Sequence, residues 1–237
     1  MNQGIYSLSA TMINQLNRVD VLSNNIANSN TNAFKEDHLV EGSFNYYLTQ
    51  SQQNNTQTNK MDIVHNTIPK IDGDYIKGDV GVLEQTGNKL DFALKENETF
   101  FKIKDKNGDI KLTRDGSFNN TNGFLTTKSG EKVLDFNNQP IAVEDGFETQ
   151  IAVVNTPFTN LTKVGDNNYK IDDSRKVESY TSNNSHLLQG TVEKSNVNTV
   201  SSMVALIDAQ RRLEQSQKAI TGIDDINGKL ITQIGNK

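Results

Sequence analysis

Over the first thirty residues the apolar positions advance by alternating steps of three and four. Ile5, Leu8, Met12, Val19, Leu22 and Ile26 fall on one seam, and only Gln15 breaks it. Ile13, Leu16 and Val21 widen that seam into the broader apolar face of a bundle helix. The helix is expected to stop between Asn28 and Asn32, where Asn, Ser and Thr side chains compete with the backbone for hydrogen bonds. The other end of the chain repeats the pattern. Leu206, Ala209, Leu213, Ile220, Ile223, Leu230 and Ile234 form a second seam, interrupted at Ser216 and Asn227. Val197, Val200, Val204 and Ile207 add apolar residues at its start. Ser195 or Asn196 is the expected N-cap. From there to Ile234 the helix would run about 60 Å, with Gly222 and Gly228 each weakening it by about 1 kcal/mol. A seam this long outruns what a small domain can cover, as in coiled coils and repeat assemblies. Periodicity alone leaves two partners open: the helices pack on each other within one chain, or on neighbouring chains.

Between the ends, from about residue 71 to 171, the period changes to two. Phe101 and Ile103 alternate with Phe100, Lys102 and Lys104, and Ile110 and Leu112 alternate with Lys111 and Thr113. Asn107-Gly108 lies between these runs and predicts a hairpin; Asn122-Gly123 and Ser129-Gly130 mark further turns. Ile151 to Val154 reads as a buried strand ended by Pro157. Thr49 to Lys60 contains no apolar residue, and Ser179 to Ser185 is a second polar stretch. The fold class expected is α+β: terminal helices that form a coiled-coil-like helical domain, and a central β-rich domain. The boundaries expected are a first helix at 1–35, an extended linker at 36–70, the β-rich domain at 71–188 and the returning helix at 189–237.

Composition narrows the chemistry. In 237 residues there are no cysteines, which excludes disulfides and thiolate metal sites. The net charge is -5, and no run of Lys or Arg provides the cationic face that nucleic acid requires. The mean hydropathy of -0.62 is low, and no apolar run approaches the roughly 20 residues of a membrane span. The N-terminal segment does not have the pattern of a cleaved signal peptide.

Catalytic constellations are not found. His38, His65 and His186 are widely separated. Asp105, Asn107 and Asp109 match the first positions of a calcium loop, but Ile110 and Gly116 stand where that loop needs Gly and a bidentate Glu. The adjacent pairs Asp172-Asp173 and Asp224-Asp225 project to different faces and do not make a paired-carboxylate site. The expectation is a protein that is not an enzyme and holds neither cofactor nor metal.

Three segments carry a resemblance. The first is Leu22-Ser23-Asn24-Asn25-Ile26-Ala27-Asn28-Ser29-Asn30-Thr31-Asn32-Ala33-Phe34-Lys35. The second is Gly81 to Leu94, followed by Phe100-Phe101 and Leu112-Thr113-Arg114-Asp115-Gly116-Ser117-Phe118. The third is Gln189-Gly190-Thr191-Val192-Glu193-Lys194-Ser195-Asn196-Val197-Asn198, followed by Met203, Leu206-Ile207 and Ala209-Gln210-Arg211. In order and spacing these resemble the signatures of flagellar rod and hook axial proteins, and the run Leu90 to Lys95 is most similar to the proximal rod type, with the distal type as alternative. An exported adhesin-like binding module, with the β domain on a helical stalk, is the competing class. The family usually has Gly where this chain has Ala33, so a left-handed turn there is expected to move to Asn32 or be lost.

The resemblance implies a structural subunit of the periplasmic rod in the flagellar basal body. It implies export through the flagellar type III apparatus without a cleaved signal, and partners that are other rod subunits and neighbouring axial proteins. No nucleic acid or membrane insertion is expected; an oligomer is expected in the assembled rod, with the state of the isolated chain, a monomer among the options, left open. The subunit interface would consist of Ile5, Leu8, Met12, Val19, Leu22, Ile26, Val200, Met203, Leu206, Ile207, Leu213, Ile220, Ile223 and Leu230. The motif residues carried over are Asn24, Asn25, Asn28, Asn30, Phe34, Lys35, Ser195, Asn196, Val197, Gln210 and Arg211.

Overall fold

A computed structural model describes residues 2–42, 70–171, 178–181 and 186–235. The polar tract Thr49–Lys60, His65 and the pair Asp172-Asp173 lie outside the described residues. In chain order the elements are α1 (Asn2–Ala27), β1 (Asp37–Gly42), β2 (Lys70–Ile76), β3 (Leu83–Gln85), β4 (Phe92–Leu94), β5 (Thr99–Lys104), β6 (Ile110–Thr113), β7 (Asn119–Thr121), β8 (Phe124–Thr126), β9 (Lys132–Val133), β10 (Ala152–Asn155), β11 (Leu161–Lys163), β12 (Asn168–Ile171), β13 (Glu178–Thr181), β14 (Leu187–Gln189), β15 (Thr191–Glu193) and α2 (Thr199–Gly235). This is an α+β chain, with a helix at each end of the sequence and an antiparallel β-rich region between them. The chain divides into two compact units. One draws on 1–26, 37–75 and 199–237, the other on 27–36 and 76–198.

In the second unit the main sheet runs β11-β12-β6-β5-β9-β8-β7, with β10 paired to both β5 and β13. All its described pairings are antiparallel. The period-two pattern puts side chains on both faces, and each face is covered. Phe101 and Ile103 belong to a core with Phe92, Leu94, Phe118, Leu125, Val133, Phe147 and Val153. Phe100 and Leu112 belong to a second core with Val154, Phe158, Leu161 and Tyr169. Edge-to-face rings knit both cores: Phe101 to Phe118 at 5.1 Å and Phe100 to Phe158 at 5.1 Å. Asn122-Gly123 makes the two-residue turn of the β7–β8 hairpin, with φ of 54° and 83° as a primed turn requires. The β5–β6 hairpin closes over five residues, Asp105 to Asp109, with Gly108 at φ 92°.

Several expectations change. Within the span 36–70 read as an extended linker, Asp37–Gly42 forms β1 and pairs with β2. Within the second polar stretch, residues up to Thr181 form part of β13 against β10. The long helix begins at Thr199, not at a cap on Ser195 or Asn196. Asn196 is engaged elsewhere: its Oδ1 accepts Glu36 N at 2.8 Å, and its Nδ2 donates to the carbonyls of Lys77 and Asp79. The left-handed turn expected to leave residue 33 stays there, with Ala33 at φ 55°. Ala33 N donates to Glu193 O at 2.7 Å, Asn167 Nδ2 donates to Asn32 O at 2.9 Å and Asn196 N donates to Phe34 O at 3.3 Å, so Ala33 and both its neighbours are pinned and the turn has nowhere to move. An alanine in this region carries about 1–2 kcal/mol of strain.

In the first unit, Asn25 near the end of α1 clamps the β1 backbone from both sides. Its Nδ2 donates to Asp37 O at 2.8 Å and its Oδ1 accepts Asp37 N at 3.0 Å. His38 on β1 stacks on Tyr75 of β2 with ring centroids 5.3 Å apart.

Candidate functional site at a buried junction of charged residues

The exit from α1, the residue that follows β6 and the last residue of β15 meet at a cluster of three buried charges. Lys35, Arg114 and Glu193 are between 0% and 2% exposed. Each comes from a different one of the three signature segments. Glu193 is the hub. Its Oε1 accepts Lys35 Nζ at 2.6 Å and Gly81 N at 2.9 Å, and its Oε2 accepts Arg114 Nε at 3.0 Å and Nη2 at 2.9 Å. Lys35 Nζ also donates to Asp79 O. Arg114 Nη1 donates to the carbonyls of Glu96, Asn97 and Thr99. A fork-shaped guanidinium and a full set of carbonyl acceptors are what make three buried ions tolerable.

Surrounding side chains clasp the same exit segment. Lys163 Nζ lies 4.4 Å from the centre of the Phe34 ring and donates to Lys35 O at 2.9 Å. Asn167 Nδ2 donates to Asn32 O at 2.9 Å. Phe34 is buried.

Two cations share one carboxylate, Glu193. Burial, and then the Arg114 charge, lower the Lys35 ammonium from 10.5 to about 8 against the pull of Glu193. Burial pushes the Glu193 carboxyl up, but Arg114 and Lys35 outweigh it and hold the group below its usual value. The sign for Lys35 follows from linkage. Between about 8 and 10.5 the unfolded chain holds a proton here that the folded chain has released, so this group's contribution to stability rises with pH. The stability of the wild type relative to Lys35→Met is expected to increase by about 1–3 kcal/mol from pH 7.5 to 10. Urea melts at the two pH values check this, and a flat or falling difference contradicts it.

The cluster offers no substrate access and no nucleophile in water, so its chemistry is cohesive. Asp105, the first residue of the calcium-like loop, bonds Lys111 Nζ at 2.7 Å, and this bond holds its carboxyl below the usual value. His186 Nδ1 lies 3.0 Å from Glu96 Oε1. Among the described residues no group of three or more His, Cys, Asp or Glu could hold a metal ion, and no helix is long and apolar enough to cross a membrane.

Other candidate residues sit on the helices. On α1, Ile5, Leu8, Met12, Val19, Leu22 and Ile26 are half-buried, and Asn14 and Gln15 are buried. On α2 the covered positions, besides Thr199 and Gly222, are Ser202, Leu206, Ala209, Leu213, Ser216, Ile220, Ile223 and Asn227, in alternating steps of four and three. Ser216 and Asn227, read as interruptions, belong to this covered stripe. Val200, Met203 and Ile207 lie outside it, exposed at 74%, 48% and 50%, and Leu230 is exposed at 40%. Gln210 and Arg211 are exposed on α2; Asn24 and Asn30 are exposed, and Asn28, Ser195 and Val197 are half-buried. The candidate set thus divides into a covered seam and an uncovered flank.

Family comparisons overlap all three segments, with Gly81–Leu94 outside the matched residues. Residues 5–35 match the flagella basal body rod protein family, residues 96–156 the flagellar hook protein FlgE/F/G D1 domain, and residues 188–234 the flagellar basal body rod FlgEFG protein C-terminal family. The flagellar basal-body rod protein FlgG of Buchnera aphidicola subsp. Baizongia pistaciae is 30% identical, over 94% of this chain and 95% of its own length. The flagellar basal-body rod protein FlgF of Mesorhizobium japonicum is 29% identical over 100% of both chains. The flagellar hook-basal body complex protein FlhO of Bacillus subtilis is 27% identical over 99% of both. With three signature segments locked together by one buried charge cluster, and matches that run end to end, the chain belongs to the flagellar basal-body rod protein family and is a structural rod subunit, not an enzyme.

Proposed function

We propose that this subunit builds the proximal part of the periplasmic rod and polymerises through its terminal helices. It reaches that place through the flagellar type III apparatus without a cleaved signal. In this reading α1 and α2 pair through their heptad seams, and a second face of α2 packs on neighbouring rod subunits and axial proteins. The observation that carries it is the division of apolar residues on α2. One stripe is covered, yet Val200, Met203, Val204 and Ile207 are exposed on the same two turns. A helix with apolar residues on two sides needs partners on two sides. The buried charge cluster adds support, because it ties together the two chain segments that lead out of α1 and towards α2.

The test separates folding from assembly. Met203→Asp with Ile207→Asp is expected to leave the melting temperature of the isolated chain within about 2 °C, since surface substitutions cost little. In the cell the same pair would place two charges in a packed seam. It is expected to abolish swimming in soft agar and truncate basal bodies. Leu206→Asp with Leu213→Asp, on the covered stripe, should block assembly as well. Wild-type swimming by either pair contradicts the assignment. A deletion strain with normal flagella contradicts the rod reading as a whole.

A further inference from the structure

The sheet of the β domain has a cationic face opposite an acidic loop. Ile103 and Val133 point into the first core, so Lys102, Lys104 and Lys132 on the same strands point to the other side. Lys104 and Lys132 are direct cross-strand partners. Like charges opposed in this way destabilise a sheet unless an anion meets them. Both are exposed, and among the described residues neither has an ion-pair partner. Lys132 Nζ sits 4.6 Å from the centre of the Phe124 ring, and exposed Ile110 is the partner of Lys104 on β6. The patch therefore has an apolar border. Lys102 beside it is partly desolvated, which lowers its pKa, with Asp135 nearby.

On the side of the first core the chain turns through Glu144-Asp145-Gly146-Phe147-Glu148. Phe147 inserts into that core, 6.0 Å edge-on from Phe92. Val143 N donates to Gly123 O, tying the loop to the β7–β8 turn. Glu144 and Asp145 are exposed, and Glu148 is half-buried.

We propose that the β domains of successive copies stack head to tail, with the Lys102–Lys104–Lys132 face of one copy on the Glu144–Asp145 loop of the next. Opposite charges on opposite faces of one sheet cannot satisfy each other within a copy, and they complement each other between copies. Such a contact is heterologous and continues indefinitely, as a filament requires. Electrostatic complementarity of this kind fixes register more than affinity. This inference rests on the rod-subunit reading but concerns a different surface from the helix seams.

A charge exchange tests it in a deletion strain complemented with the full chain. Lys104→Glu with Lys132→Glu gives two acidic surfaces; Glu144→Lys with Asp145→Lys gives two basic ones. Each pair is expected to reduce the soft-agar swimming diameter at least threefold. The four changes in one chain restore opposite signs and are expected to return it to near the wild-type value. Thermal melts of the purified variants check that each folds. If either pair swims like wild type, or the fourfold variant is no better than the pairs, the stacking is wrong. Neither result touches the rod reading, which falls if the uncomplemented deletion strain swims. The Cys-free chain provides a second readout. Lys104→Cys with Asp145→Cys in one chain is expected to give a ladder of disulfide-linked multimers from purified basal bodies, and monomer alone would overturn the proposal.

Discussion

Glu193→Ala is expected to destabilise the β domain by about 3–5 kcal/mol, the range for breaking a buried ion cluster from one side. The substitution leaves the Lys35 ammonium and the Arg114 guanidinium buried with no counter-charge between them. It also removes the acceptor for Gly81 N. Lys35 can relieve its share by losing its proton, since burial and Arg114 already lower it to about 8. Arg114 cannot, so most of the loss should persist at alkaline pH. Urea denaturation followed by circular dichroism measures the effect. A loss below about 1 kcal/mol would mean that water reaches the cluster. The range is a large part of a domain's total stability, so the variant should also be poorly populated in cells at 37 °C.

Gly116→Ala is expected to prevent the β domain from folding as it does in the wild type. A Cβ at residue 116 would lie 1.8 Å from Phe92 O and 2.8 Å from its carbonyl carbon, with the Phe101 ring at 3.1 Å. The first two are backbone atoms of β4, and Phe92 N also donates to Gly116 O at 2.9 Å, so neither partner can withdraw without breaking the pairing. A loss above about 4 kcal/mol follows, in the range reserved for a few severe mechanisms. Gly87→Ala is the control. Its φ is 72°, but no atom lies within 4 Å of the added carbon, so only backbone strain of about 1 kcal/mol is expected. Comparable melting curves for the two variants would mean that β4 is not held against Gly116 as described.

The helices were readable from sequence because a heptad pattern is a local property. Leu206, Leu213, Ile220 and Ile223 lie on the covered stripe of α2 that their spacing predicts. The stripe itself is more polar than an apolar pattern can reveal, since Ser202 and Ser216 are buried on it. Ser216 is accommodated by returning its hydroxyl to Arg212 O at 2.9 Å. The hairpins at Asn107-Gly108 and Asn122-Gly123 were readable for the same local reason. The charge cluster was not. Lys35 belongs to a helix-exit signature, whereas nothing local distinguishes Arg114 or Glu193 from the other charged residues of their segments. Lys, Arg and Glu are almost never fully buried unless paired, so each alone reads as surface. Their meeting depends on contacts across 79 and 158 residues of chain. The start of α2 was misplaced for a related reason: Asn196 is a good cap in isolation, and the distant backbone of Glu36, Lys77 and Asp79 takes its side chain instead.

The central claim, that this chain is a rod subunit, is tested most directly by a mass-spectrometric inventory of purified hook–basal bodies, with and without the exposed-flank charges on α2. The account predicts that the wild-type chain is present as a stoichiometric component, and that the Met203→Asp/Ile207→Asp chain is absent although it is expressed and folded. Basal bodies complete to hook and filament without this chain would contradict it.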